Sequence, residues 1–71
     1  MSWFTFIVET RENINGSTSH NIAKKAESSN YAMMQVVSDA MAESITIDDI
    51  TYCGEYESKP TDCKERLTAE S

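Results

Sequence analysis

The sequence has little of what most enzymes and metal proteins require. Its 71 residues include two glycines, two cysteines, one histidine and one proline. His20 is therefore the only imidazole base. Cys53 and Cys63 lie ten residues apart, whereas zinc-binding pairs are spaced by about two to four residues. Gly16 and Gly54 are too few for a glycine-rich phosphate loop. We expect no enzyme activity, no metal site and no cofactor, and we expect His20 to be a solvated side chain in a polar arm.

Long apolar runs are also missing. No stretch reaches the roughly 18 apolar residues that a membrane-spanning helix needs. The apolar residues 1–8 have no basic residue before them and no small-residue cleavage site after them, so a strand is expected there rather than a signal peptide. Two cysteines are fewer than a disulfide-stapled secreted domain usually has. These features predict a cytoplasmic protein with reduced thiols and no membrane partner.

Basic residues are scarce. Six Lys and Arg stand against twelve Asp and Glu, which gives a net charge of −6. This balance argues against direct binding of nucleic acid, because such binding needs basic patches that displace counterions. A chain of this length forms one domain and buries roughly 60% of its unfolded surface. That leaves little room for a deep pocket beside a core, which excludes most enzymes.

Two strands and a hairpin are predicted in the first third of the chain. Residues 2–9 alternate with period two, and their aromatic and β-branched side chains suit a strand. Asn15-Gly16 is a strong signal for a hairpin turn, and a second strand is expected over residues 18–27. Pairing Val8 with Ile22 matches the apolar side chains best. Because this register is not symmetric about the turn, we expect a bulge or a loose loop.

An amphipathic helix is predicted over residues 29–43. Ser28-Ser29-Asn30 supplies N-cap residues. The apolar positions that follow have helical spacing: Met33, Val36, Val37, Ala40 and Met41. The spacing favours packing of this stripe against a sheet, and the alternative is an adaptable binding surface made by the methionines.

Period two returns over residues 44–57, with a change of phase at Asp48-Asp49. Ile45 and Ile47 share one phase, whereas Ile50, Tyr52, Gly54 and Tyr56 share the other. Either a tight turn separates two short strands there, or one long strand bulges. Asp-Asp is a poor hairpin turn, so we favour the bulge.

These elements predict a small α+β fold in which one amphipathic helix lies on one face of an antiparallel sheet of three to four strands, in β-β-α-β order. Residues 1–57 form the single domain. Residues 58–71 are predicted to be a partly ordered tail, in which residues 61–67 have the length for one or two helical turns.

The negative charge is concentrated in the middle of the chain. Residues 1–26 have a charge of +1 and residues 59–71 of zero, whereas residues 27–58 carry −7 and contain no Lys or Arg. An acidic face of this kind attracts basic partners and can imitate the phosphates of a duplex. The alternative is ordinary charge for solubility. The predicted partner-binding residues are Asp39, Glu43, Asp48, Asp49, Tyr52, Glu55, Tyr56 and Glu57.

The order of elements resembles that of small phage-encoded anti-CRISPR proteins of the type I class. The resemblance covers residues 2–57: an apolar strand at residues 3–8, a polar arm, a helix at residues 31–41, and an Ile-rich strand at residues 45–56 that ends in Tyr-Cys-Gly-Glu-Tyr. It implies a non-enzymatic inhibitor in the cytoplasm of a bacterial host. Such an inhibitor binds a subunit of a CRISPR surveillance complex and blocks DNA recognition. No residue roles follow from the resemblance.

Two functions from different classes are therefore expected. The first is an inhibitor or adaptor that binds a basic, nucleic-acid-handling protein through the acidic face, as a monomer or weak homodimer. The second is a small structural protein that self-associates through its apolar N-terminal strand. Trp3 and Ile7 motivate the second hypothesis, because they point away from the face formed by Phe4, Phe6 and Val8.

Overall fold

The computed structural model describes residues 1–68, which contain three strands and one helix. Along the chain these are β1 (Ser2–Ile14), β2 (Ser17–Ala26), α1 (Ser29–Ala42) and β3 (Ile47–Tyr56). β1 is the central strand of one antiparallel sheet, with β2 and β3 at its two sides. The helix packs on one face of this sheet. The predicted α+β fold with β-β-α-β order is therefore confirmed, with three strands.

Asn15-Gly16 forms the turn between β1 and β2. The φ angles are 53° at Asn15 and 83° at Gly16, and a two-residue hairpin turn of this type requires positive φ at both positions. The register of β1 against β2 shifts between Glu9 and Ile14. The hairpin therefore combines a tight turn with the expected bulge.

The bulge shifts the pairing of β1 with β2 further from a symmetric hairpin than the sequence analysis predicted. Phe6 lies opposite Ile22, so the predicted pairing of Val8 with Ile22 is wrong. The extra residues of β1 allow Ile14, beside the turn, to reach the core, where it is 4% exposed. This register buries Ile14, which alternation along the strands does not reveal.

β3 is one strand with two bulges. Its register against β1 shifts at Asp48, so the prediction of a bulge rather than a turn at Asp48-Asp49 is confirmed. A second shift lies at Cys53. Because side chains alternate along a strand, this second bulge places Tyr52 on the helix side of the sheet and Tyr56 on the opposite side. The sequence places both tyrosines in one phase, which is wrong for this reason.

The boundaries of α1 follow from local hydrogen bonds. The Ser28 side chain accepts a hydrogen bond from the backbone N–H of Tyr31 at 3.3 Å, which makes Ser28 the N-cap. At the other end Ser44 has a φ of 58°, and the N–H of Ile45 donates to the Ala40 carbonyl at 2.8 Å. This is the Schellman pattern that terminates helices.

The side of α1 that faces the sheet is composed of small residues. Ala32, Val36 and Ala40 are buried. Met33 is half-buried, whereas the other two members of the predicted stripe, Val37 and Met41, are exposed. The stripe is therefore rotated from its predicted position, because small side chains allow the helix to lie closer to the sheet than methionines would.

The core lies between α1 and the sheet. Its buried side chains come from β1, β2 and α1 and from two positions outside the elements: Phe4, Phe6, Val8, Ile14, Ile22, Ala26, Ala32, Val36, Ala40, Ile45 and Leu67. Half-buried Met33, Ile47 and Ile50 pack against its margin.

The segment after β3 returns to the opposite edge of the sheet. The N–H of Lys64 donates to the Asn21 carbonyl at 2.9 Å, and the N–H of Ala23 donates to the Lys64 carbonyl at 2.8 Å. Thr5 and Ala23, on the face away from α1, are buried, so the segment crosses that face to reach β2. Leu67 then joins the core at 2% exposure.

Residues 58–68 contain turns and this single bridge, and no helix. The helical turns considered for residues 61–67 are absent because Lys64 bonds to β2 instead of to its neighbours along the chain. Residues 69–71, the end of the predicted tail, lie outside the described residues.

Candidate interaction surfaces

Most of the predicted partner-binding residues lie on one strand. β3 carries Asp48, Asp49, Tyr52, Glu55 and Tyr56, all of which are exposed, and Glu57 follows it directly. The tyrosines are 46% and 50% exposed. β3 thus brings six of the eight predicted residues together, and Asp39 and Glu43 lie apart from them on α1 and at its end.

The residues of β3 divide between the two faces of the sheet. Tyr52 lies on the helix side, where its ring contacts Phe6 at 5.7 Å between centroids. Glu55 lies opposite Phe4 and shares that side. Asp49 and Tyr56 point to the other face. The acidic surface is therefore a strip that wraps around the β3 edge rather than a single flat face.

Asp39 forms ion pairs inside the molecule. Its carboxylate binds the ammonium group of Lys24 on β2, and the side chains are 22% and 13% exposed. The guanidinium of Arg66 lies 3.9 Å from its other oxygen. The charge of Asp39 is thus largely balanced from within, and its position ties α1 to β2.

Glu43 is the C-cap residue of α1 and is half-buried. Its backbone N–H donates to the Asp39 and Ala40 carbonyls, both at 3.2 Å. Among the β3 acids, Asp48 lies 3.6 Å from the Arg11 guanidinium in an exposed pair, which contributes little to stability.

Three carboxylates of the strip have no positive partner. Asp49, Glu55 and Glu57 make no ion pair with any residue from 1 to 68. Their charges therefore face solvent, and they are three of the four carboxylates on or directly after β3.

The outer edge of β3 has no neighbouring strand within residues 1–68. Such an edge is a template for pairing with another chain. The bulges at Asp48 and Cys53, together with the carboxylates, interrupt this template. We therefore expect binding at β3 to use side chains rather than an added strand.

A second exposed surface corresponds to the alternative considered for the helix, a binding surface made by methionines. Met34 and Met41 are 64% and 73% exposed on the outer side of α1. With neighbouring residues of the same helix they line a shallow, open groove on its surface: Asn30, Met33, Met34, Val37, Ser38 and Met41. We call this surface the methionine groove. Its signal in the sequence was the number of methionines, but helical spacing favoured the core for Met33 and Met41.

His20 lies inside the fold rather than in a solvated arm. It is 6% exposed, and its Nε2 lies 3.5 Å from the Thr10 hydroxyl. Burial lowers the pKa of His20 below its usual value of 6.5, and the nearby Lys64 acts in the same direction. The bulge explains this placement, because it brings Thr10 against β2.

The two cysteines are free and line one shallow cleft of about 220 Å³ with Tyr56 and Pro60. Burial and the adjacent Asp62 raise the pKa of Cys63, which disfavours its thiolate. The cleft is smaller than the roughly 300–1,000 Å³ of sites that bury small ligands. Within the described part of the chain, no three His, Cys, Asp or Glu side chains are arranged to hold a metal ion.

α1 is neither long nor apolar enough to cross a membrane, and no other helix is found among residues 1–68. No protein-family model matches the chain, and neither a curated protein nor a solved structure matches it.

Proposed function

We propose that this protein is a non-enzymatic inhibitor or adaptor that binds a basic surface of a nucleic-acid-handling protein. The observation that carries the proposal is the set of three exposed carboxylates without positive partners, Asp49, Glu55 and Glu57, on and beside an edge strand that also presents Tyr52 and Tyr56. Unpaired charges on a small domain raise the rate of encounter with an oppositely charged surface. Exposed tyrosines supply the contact area typical of interface hot spots.

The resemblance in element order to type I anti-CRISPR proteins suggests one class of target. In this form of the proposal, the carboxylates of β3 occupy a basic channel in a subunit of a CRISPR surveillance complex. They replace the phosphates of the DNA that the channel recognises. Another host-defence complex with a basic nucleic-acid channel satisfies the same chemistry.

The first experiment is affinity capture of the tagged protein from its bacterial host, followed by mass spectrometry. Asp49→Lys and Glu55→Lys reverse one unpaired charge on each face of the sheet. Glu65→Lys makes the same change of charge on the exposed C-terminal segment and is the matched control. Asp48 is a poorer choice, because its reversal also places like charge beside Arg11.

We expect the wild type and Glu65→Lys to retain a basic nucleic-acid-handling protein and at least one β3 reversal to lose it. In direct titration with that partner, reversal should weaken Kd by about tenfold, since close charge pairs across an interface contribute about 1.5 kcal/mol or more. Added salt should weaken the wild type more than the reversed variants. Equal affinity for all three variants would show that β3 does not bind the partner.

The CRISPR form of the proposal has its own test. Expression of the protein in a host with a type I system should restore plaque formation by a targeted phage. Glu55→Lys should reduce this restoration and Glu65→Lys should not. Unchanged immunity together with capture of a different basic protein would move the proposal to that protein.

Self-association through β1 remains the second candidate. Both edges of β1 are paired, to β2 and β3, so only its face is available. On that face Ile7 is 37% exposed and Trp3 is half-buried. Sedimentation at micromolar concentration tests this candidate: a dimer that Trp3→Ala disrupts supports it, and a monomer for both proteins eliminates it.

A further inference from the structure

The helix exposes its large apolar residues and buries its small ones. Two alanines and one valine face the sheet, whereas Met34, Val37 and Met41 are 64%, 38% and 73% exposed. Burying a Met side chain removes more apolar surface from water than burying an alanine does, and it therefore stabilises a fold more. Close packing accounts for the alanines at the sheet, but it leaves Met34, Val37 and Met41 in contact with solvent. The methionine groove is therefore an apolar surface that the fold of residues 1–68 leaves unused.

The position of the groove follows from the ion pair of Asp39. Lys24, on β2, draws the Asp39 flank of α1 toward that strand. In a helix with 3.6 residues per turn, Met33 lies about 120° around the axis from Asp39. The groove therefore occupies the outer side of α1 and the flank away from β2. Half-buried Ile47 and Ile50 on β3 extend the apolar margin of the core on that side.

The surroundings of the groove are acidic or neutral. The two polar residues that line it, Asn30 and Ser38, are uncharged. It lies within residues 27–58, which contain no Lys or Arg. The cations of the chain belong to β1, β2 and the C-terminal segment: Arg11, Lys24, Lys25, Lys59, Lys64 and Arg66. On the helix side of β3, the nearest strand on this flank, Glu55 supplies an unpaired carboxylate.

From this combination we propose that the methionine groove binds one face of a cationic amphipathic helix in the partner protein. The apolar side chains of that helix enter the groove, and its Lys and Arg residues face the carboxylates of the β3 strip. The inference rests on the proposed function and specifies the partner's chemistry. Unbranched methionine side chains adapt to ligands of different shape. An apolar groove receives a partner helix through apolar side chains that the partner spaces at i, i+3, i+4 and i+7.

The test uses synthetic peptides of 18 residues and the full-length protein. The probe has Leu at i, i+3, i+4 and i+7 and Lys at the remaining positions. One control peptide contains Glu in place of Lys, and another has the probe's composition in a scrambled, non-amphipathic order. Binding is measured by isothermal titration at two salt concentrations.

Two protein variants accompany the peptides. Met34→Gln with Met41→Gln makes the groove polar without touching the core. Tyr31→Gln changes an exposed residue, 58% accessible, on the same helix but outside the groove. We expect the double variant to bind the probe at least tenfold more weakly and Tyr31→Gln to bind it within twofold of wild type. Circular dichroism should show the same helix content in all three proteins.

The outcomes separate this inference from the proposed function. If the scrambled and amphipathic Lys peptides bind equally, and Glu55→Lys loses this binding, the groove is not the binding site, whereas the acidic strip remains one. Equal binding of the Glu and Lys peptides would overturn the cationic partner, whatever the fate of the groove. A dimer in sedimentation that the double methionine variant abolishes would overturn the inference in favour of a second copy of this chain.

Discussion

The ion pair between Lys24 and Asp39 offers a direct test of how the structure assigns the acidic residues. It joins β2 to α1, and both side chains are mostly buried. Asp39→Asn leaves the ammonium group of Lys24 in that site without its counter-charge. Removing one partner of a buried pair costs about 3–5 kcal/mol. The remaining exposure and the flexible stem of Lys24 reduce this cost to about 2 kcal/mol.

This cost is large for a chain of 71 residues, whose total stability is about 4–11 kcal/mol. With a urea m-value of about 1 kcal/mol/M for so small a domain, the unfolding midpoint should fall by about 2 M. Arg66→Gln is the matched control. Arg66 contacts the same carboxylate at 3.9 Å but is 53% exposed, so its loss should move the midpoint by less than about 1 M.

Replacing both partners, as in Lys24→Met with Asp39→Leu, should recover most of the lost stability, because neither charge is then left unpaired. Equal decreases in the midpoint of under about 0.5 M for Asp39→Asn and Arg66→Gln would show that the pair of Lys24 and Asp39 does not stabilise the fold. Asp39 would then be as available to a partner as the carboxylates of β3.

Three further predictions concern the C-terminal segment, the hairpin turn between β1 and β2, and the buried His20. Leu67→Ala should cost about 2–4 kcal/mol in urea unfolding and Leu67→Met under about 1.5 kcal/mol; no cost for either would mean that the C-terminal segment does not dock. Gly16→Ala should destabilise by about 1 kcal/mol, because φ at this position is +83°, although a Cβ there has open space. The folded-state pKa of His20 is lowered, so stability is full above pH 6.5 and is lost as pH falls from 6.5 through the folded pKa. The drop in urea midpoint between pH 7 and pH 5.5 should therefore be smaller in His20→Gln, and an equal drop in both proteins would contradict this account.

The hydrogen bond accepted by the Glu12 carboxylate makes stability depend on pH in a different, lower range. The backbone N–H of Thr46 donates to Glu12 at 2.9 Å, and this hydrogen bond lowers the pKa of the carboxyl group below 4.5. The contribution of this hydrogen bond to folding stability is therefore fully present above pH 4.5 and is lost only at lower pH. The interval from pH 7 to pH 5.5 thus isolates His20.

Local chemistry accounts for the elements that the sequence predicted well. The Asn15-Gly16 turn requires positive φ, which few other residue pairs tolerate. The N-cap at Ser28 and the helical spacing after it are also local, and they fix α1 to within one residue at each end. The bulge at Asp48 was visible because the apolar phase changes there.

Predictions from the sequence were wrong where the position of a side chain depends on contact between segments distant in the chain. The bulge at Cys53 leaves no mark on the pattern of β3, yet it decides which face each tyrosine occupies. The burial of His20 depends on the shifted hairpin register, in which Ile14 is also buried. For Asp39, helical position alone indicated an exposed acid, and only the packing of α1 on β2 brings Lys24 to it.

The sequence alone determined the size, the order of elements and the concentration of negative charge in residues 27–58, since composition and short-range periodicity are local properties. The tertiary structure decided which of those charges face solvent and which side of the helix is left uncovered. Both depend on how closely α1 approaches the sheet, and that distance is set by Ala32, Val36 and Ala40 packing together against strands distant in the chain.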